Sequence, residues 1–282
     1  MFPHKESERL FLIISILLFW IVVHATLHEG GHAFFMRRYG VEIDKMGIGL
    51  PINPKLQFRL RGVSFPLVVS PWLISAYVKM TNAGFVSMDS LPYGKRADIN
   101  SAGIMANLIS AFVLEMIFLA VVGGAVWKIA IAGIILTVFL IIFYKVFCRI
   151  LIPFLGSALG IVVAYDLLQM MAKFFSQGSM ASDDIGVGGP ISIVVLIQSM
   201  KASIPGGMTG FFLQTGAILG FVFATTNMLP LRPLDGGNIF VDLVEKFFGG
   251  RVARVADWMG VLALLMIVAL AFTADILKVF GR

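Results

Sequence analysis

Apolar residues run from Leu10 to Val23 with only Ser15 intervening, and the run continues past a cluster of polar positions to Phe35. A helix needs about 20 predominantly apolar residues to cross a bilayer. By that measure the pattern predicts six spans: Leu10–Met36, Ala102–Val122, Ala125–Phe147, Leu151–Phe174, Gly210–Met228 and Trp258–Ala274. The third and fourth are separated only by "KVFCRILIP", where Pro153 suits the first turn of a new helix. Residues 39–101 are too polar for a span and too apolar for an ordinary loop. Within them, "QFRLRGVSF" interleaves Phe58 and Leu60 with Arg59 and Arg61, the period of a half-buried strand. "GVSFPLVVSPWLISAYVKM" adds an apolar strand or re-entrant segment broken at Pro66 and Pro71. Residues 177–205, with their Gly and Ser, predict an outer loop holding one short apolar helix, Ile191–Met200. The expectation is an all-α polytopic membrane protein of about six transmembrane helices. A small membrane-associated β-sheet lies between the first two spans, and residues 1–282 form a single domain.

Composition agrees. The chain has 282 residues, 59% of them hydrophobic and 13% charged, with a mean hydropathy of +0.93. A soluble domain of this length cannot bury that much apolar surface. The net charge of +6 reports topology rather than nucleic acid, because no stretch has the basic and aromatic pattern of a nucleic-acid-binding module. With the N-terminus outside, fifteen of the 22 Lys and Arg residues fall on the inner side, so both termini are expected to face out. The first segment is too long for a signal-peptide core and lacks a small-residue cleavage site, so it is expected to be retained. Cys148 is the single cysteine and cannot form an internal disulfide.

The polar cluster inside the first span is "HATLHEGGHAFFMRR", residues 24–38. His28 and His32 stand four apart, on one helix face, where two imidazoles can converge on one metal ion. Glu29 is adjacent and can serve as general base toward water, which is the mechanical content of H-E-x-x-H. An ionisable group inside a span costs roughly 2.5–3.5 kcal/mol on insertion scales, so such groups default to functional hypotheses. His24 extends the row, but it lies about 12 Å from His32 along the axis. It is expected to stand behind the ligands or line a pore. Gly30 and Gly31 weaken the helix and suggest close approach of another backbone or of substrate.

A catalytic zinc keeps three protein ligands and an open position. Glu115, Asp166 and Asp235 are the acids in reach of that role, and "TTNMLPLRPLDGGN" makes Asp235 stand out. Pro230 and Pro233 break the helix before it, and Gly236 and Gly237 follow. A broken helix can present a carboxylate into a cavity. "PLDGG" alone equally describes a turn at the membrane edge.

Taken together these motifs resemble the site-2 protease family of intramembrane zinc metalloproteases, most closely its bacterial regulator-of-sigma-E branch. "HEGGH", "AYVKM" with "YGKRADINSAGIMAN", "GGPISI" and "NMLPLRPLDGG" match in order along nearly the whole chain. The resemblance implies Zn2+ held by His28, His32 and Asp235, with Glu29 as general base. It implies Asn107 and Asn227 as contacts to the substrate backbone or oxyanion, and residues 39–101 as a sheet that clamps extended substrate. It further implies a multi-pass protein of a bacterial inner or plasma membrane that acts on a single-span membrane protein, with its active site toward the cytoplasm.

The chain departs from the branch in several places. It has no room for a PDZ domain, and residues 125–174 supply two extra spans instead. Ser75-Ala76 stands for the usual Gly-Gly, Ile104 for the usual Pro, and Asn238 where His is frequent. The competing readings are a zinc- or client-binding membrane protein of the same fold without catalysis, and a zinc transporter. Glu115 and Asp166 are too few for a transport path.

Overall fold

The first apolar run folds as one 35-residue helix, α1 (His4–Arg38), and Arg37 and Arg38 in its last turn suit the negative end of the helix dipole. The computed structural model describes residues 4–52, 56–71, 73, 75–122, 131, 133–135, 144–177, 197 and 204–280. After α1 come β1 (Ile43–Ile48), β2 (Leu56–Phe58), β3 (Leu67–Val69), β4 (Ala76–Met80), α2 (Asn82–Ser90) and α3 (Tyr93–Val122). One helical turn, Tyr144–Val146, then passes through a π turn, Phe147–Leu151, into α4 (Ile152–Gln177). The chain continues with α5 (Gly207–Met228), α6 (Asp235–Phe248) and α7 (Gly250–Phe280).

Four helices among the described residues are long and apolar enough to cross a membrane: Leu10–Arg38, Tyr93–Val122, Gly207–Met228 and Gly250–Thr273. The protein is thus a mostly helical, multi-pass membrane protein with a small sheet after its first helix. Of the other two expected spans, Leu151–Phe174 falls on the 26-residue α4. Ala125–Phe147 lies largely outside the described residues, as do Ile191–Met200 and "GGPISI". The expected break at "KVFCRILIP" does not occur, since helix runs on from Tyr144 to Gln177. Pro153 cannot donate to the turn before it, and the wider π turn at Phe147–Leu151 gives its ring room without ending the helix.

The sheet has the order β2-β3-β1-β4. β1 pairs parallel with β3, with Met46 opposite Leu67, and antiparallel with β4, with Met46 opposite Val78. β2 is an edge strand paired antiparallel with β3. "QFRLRGVSF" is therefore not one strand. Strand ends at Phe58, and a turn follows in which the Val63 N–H donates to the Leu60 carbonyl at 3.1 Å. Gly62 sits in that turn at φ +83°, a conformation that side chains resist. Met46 and Phe65 pack with Ala33 of α1, and Met36, Val41 and Ile99 form a second cluster beside them.

The chain divides into two compact units, Met1–Ile152 with Ile204–Asn227, and Pro153–Ser203 with Met228–Arg282. In the first, α1 packs against α3, the sheet and α5. In the second, α4, α6 and α7 close around the segment from Met228 to Leu234.

Candidate active site

His24, His28 and His32 share one face of α1, and each ring meets a partner on α3. His32 Nδ1 lies 2.7 Å from the Ile99 carbonyl. A carbonyl only accepts, so Nδ1 carries the proton and the ring's lone pair is at Nε2. The side-chain amide nitrogen of Asn107 lies 3.2 Å from His28 Nδ1, while its Oδ1 has no hydrogen-bond partner. Amide oxygen and nitrogen are assigned from the network they serve. Exchanging the two lets the Asn107 carbonyl accept Nδ1–H and leaves a lone pair on His28 Nε2 as well.

The two Nε2 atoms are 3.1 Å apart, with ring planes at 82°. Two lone pairs at that distance repel unless a cation lies between them. Nitrogens bound at about 2.0–2.1 Å in tetrahedral positions on one ion are separated by about 3.4 Å, so the pair fits half of a zinc site. Glycines make this geometry possible. A Cβ on Gly103 would lie 2.6 Å from His28 Cε1 and from His32 Nε2, and one on Gly31 would lie 2.5 Å from the Ala102 carbonyl oxygen. The close backbone approach expected at "GG" is thus made by Gly31. At Gly30 the nearest atom to such a Cβ is Met46 Cε at 4.0 Å.

Gly30 opens instead on a cleft of about 850 Å³ between α1 and the sheet, lined also by Phe34, Met46, Ile48, Leu60 and Val63. Glu29 is half-buried on the same turn as His28.

Of the two places expected for His24, behind the ligands or along a pore, the second is excluded, because the residue is fully buried. Its Nε2 lies 2.7 Å from the Gly216 carbonyl of α5, and the Ser110 hydroxyl of α3 lies 3.1 Å from Nδ1. Trp20 stacks on it at 5.6 Å. The neutral tautomer satisfies both partners, donating from Nε2 and accepting at Nδ1, so His24 fastens three helices together.

Asp235 belongs to the second unit. α5 ends at Met228, the chain is non-helical through Pro230 and Pro233, and Asp235 opens α6 as a buried residue. Glycines again set the spacing. A Cβ on Gly236 would lie 2.2 Å from the Met228 carbonyl oxygen, one on Gly237 2.4 Å from the Arg232 nitrogen, and one on Gly260 of α7 3.0 Å from that nitrogen. Gly156 of α4 meets the Met228 carbonyl and Gly160 meets Pro230 in the same way. Asn227, at the end of α5, donates from its side-chain amide to the Phe223 carbonyl at 3.0 Å.

One participant was not foreseen from the sequence. The Ile99 carbonyl carries no side-chain signature. Gly103 does leave one, since it stands four residues before Asn107 and so shares its helix face.

The chain matches a known family and a curated relative. A 101-residue stretch, 36% of the chain, is 28% identical to the probable membrane metalloprotease ARASP2, chloroplastic, of Arabidopsis thaliana. The stretch spans 22% of that relative's length. The pattern of peptidase family M50 matches far more of the chain, residues 15–270, which takes in α1 with its histidines, the sheet, α3, and Asp235. With so much of it covered, the chain belongs to peptidase family M50, the site-2 protease family of membrane metalloproteases.

Proposed function

We propose that this protein is an intramembrane zinc metalloprotease that hydrolyses a peptide bond within or near the transmembrane segment of a single-span membrane protein. The observation that carries the reading is the pair of Nε2 atoms of His28 and His32, 3.1 Å apart, with both Nδ1 sides turned to α3. His28, His32 and Asp235 hold one zinc ion in this reading, a donor set that leaves a tetrahedral position for chemistry. Zinc, when bound, supplies a Lewis acid that polarises a peptide carbonyl and makes water acidic near neutral pH. Glu29 takes the proton of the attacking water and returns it to the leaving amine.

Asn107 orients His28 through Nδ1, a place suited to a fully buried amide. That role replaces the substrate contact the family resemblance implies for it. Asn227 uses one N–H on its own helix and keeps a second for a substrate carbonyl. A peptide bond inside a helix is shielded, so the substrate must unwind before attack. The cleft past Gly30 suits an extended chain, and β2, at the edge of the sheet, offers backbone groups for strand addition. The distribution of Lys and Arg supports a cytoplasmic side for this chemistry in this reading.

The test is Glu29→Gln in the purified chain, assayed on a panel of single-span substrates alongside zinc content. Cleavage should fall by about 10²–10⁴-fold with zinc retained. Undiminished cleavage would remove Glu29 from the mechanism. Zinc and client binding by the wild type with no cleavage of any substrate would favour the non-catalytic reading.

A further inference from the structure

A second cavity, of about 680 Å³, lies in the first unit between α1, α3 and the π turn. Its rim is cationic: Arg38 from the end of α1, Lys95 from the first turn of α3, and Lys145 and Arg149 from the segment leading into α4. No carboxylate is among the described lining residues. The acid nearest to this rim in the fold, Asp98, is fully buried and committed. It accepts from Arg149 Nε at 2.9 Å and Nη2 at 2.6 Å, and from the Tyr39 hydroxyl at 2.6 Å. Below the rim the walls turn apolar, with Ala102, Met105, Ala106 and Ile109 of α3. From Ala102 to Ile109 the helix rises about 10 Å, about half the length of an acyl chain. The cationic end sits where α1 ends and α3 begins, the depth at which a span meets headgroups.

We propose that this cavity binds an anionic glycerophospholipid, its phosphate among Lys95, Lys145, Arg38 and Arg149 and one acyl chain along Ala102–Ile109. A small soluble anion has no use for the apolar length, and a neutral lipid has none for a rim that stays net positive after Arg149 pairs with Asp98. Phe34 and Arg38 line both this cavity and the cleft beside the sheet. A bound lipid therefore forms part of the wall between the bilayer and that cleft. The inference does not depend on zinc or on catalysis.

The full chain, purified in neutral detergent, is offered equal amounts of dioleoylphosphatidylglycerol and dioleoylphosphatidylcholine, and retained lipid is counted by native mass spectrometry. Three variants are compared with wild type. Lys95→Gln with Lys145→Gln weakens the rim, Ala106→Phe fills the apolar arm, and Arg251→Gln with Arg254→Gln removes equal charge from α7. Wild type and the α7 variant should prefer phosphatidylglycerol. Each rim lysine is worth about fivefold, so the rim variant should lose most of that preference. Ala106→Phe should lose it too. Equal retention by wild type and the rim variant would overturn the proposal, as would an equal loss in the α7 variant. Inorganic phosphate in millimolar excess should leave the lipid in place. Full displacement by phosphate, with Ala106→Phe unaffected, would assign the rim to a free anion and remove the lipid.

Discussion

The seam between α1 and α3 positions His28 and His32, the segment from Met228 to Asp235 positions a carboxylate, and the two do so by opposite means. In the seam the side chains are held directly: the Ile99 carbonyl and the Asn107 amide each take one ring nitrogen of His32 and His28. Around Asp235 the glycines of α4, α6 and α7 let backbone press on backbone, and the loop places the carboxylate. The first arrangement selects a tautomer as well as a position. The second fixes position alone, which suffices for a carboxylate, because it has no tautomer to choose.

Removing donors gives the largest expected effect. His28→Ala with His32→Ala should take zinc from stoichiometric to background by elemental analysis. Asp235→Asn should weaken zinc by more than about a hundredfold, beyond what outer-shell changes cost. Stoichiometric zinc in the double variant would break the comparison at its root.

Next comes the packing beneath the donors. Gly103→Ala should lower zinc affinity about 10–100-fold, because the added methyl pushes on both rings. Gly237→Ala should instead act on the fold, costing about 1–3 kcal/mol of stability by overpacking the loop. Zinc titrations and unfolding midpoints in detergent separate the two, and exchanged outcomes would reverse the contrast.

Effects of the same order distinguish two buried polar groups of the seam. Asn107→Ala should cost about 10–100-fold in zinc affinity, with recovery in Asn107→Asp, whose carboxylate still accepts Nδ1–H. His24→Ala should keep its zinc and lose about 1–3 kcal/mol of stability, the penalty for orphaning a buried polar partner. Zinc loss in His24→Ala equal to that in Asn107→Ala would mean that His24 does more than join helices.

The candidate site residues were legible because they contradict their surroundings: three histidines and a glutamate in an apolar run, and an acid between helix-breaking prolines and glycines. What holds them was less so. A backbone carbonyl such as that of Ile99 is the same in every residue, and the partners of Asp98 lie 51 and 59 positions away. β1 escaped notice because its two buried residues, Met46 and Gly47, are adjacent rather than alternating. The polar first turns of α3, Tyr93–Ser101, fail a hydropathy test yet are helical, and they bury Ala97, Asp98 and Ile99. α6 carries a helical apolar stripe after Asp235, but the sequence reading there stopped at the acid and its glycines.

The polar row of α1 also bears on how the chain enters a membrane during synthesis. His32, His28 and His24 find their α3 partners 67, 79 and 86 residues later. At roughly 5–20 residues per second, α1 waits about 3–17 s with its imidazoles unsatisfied. A chain stopped before Tyr93 therefore presents the insertion machinery with an apolar helix whose imidazoles lack these partners, and α3 supplies them. Truncations ending on either side of α3 should differ in how firmly α1 stays in the bilayer, although α1 itself is identical in both.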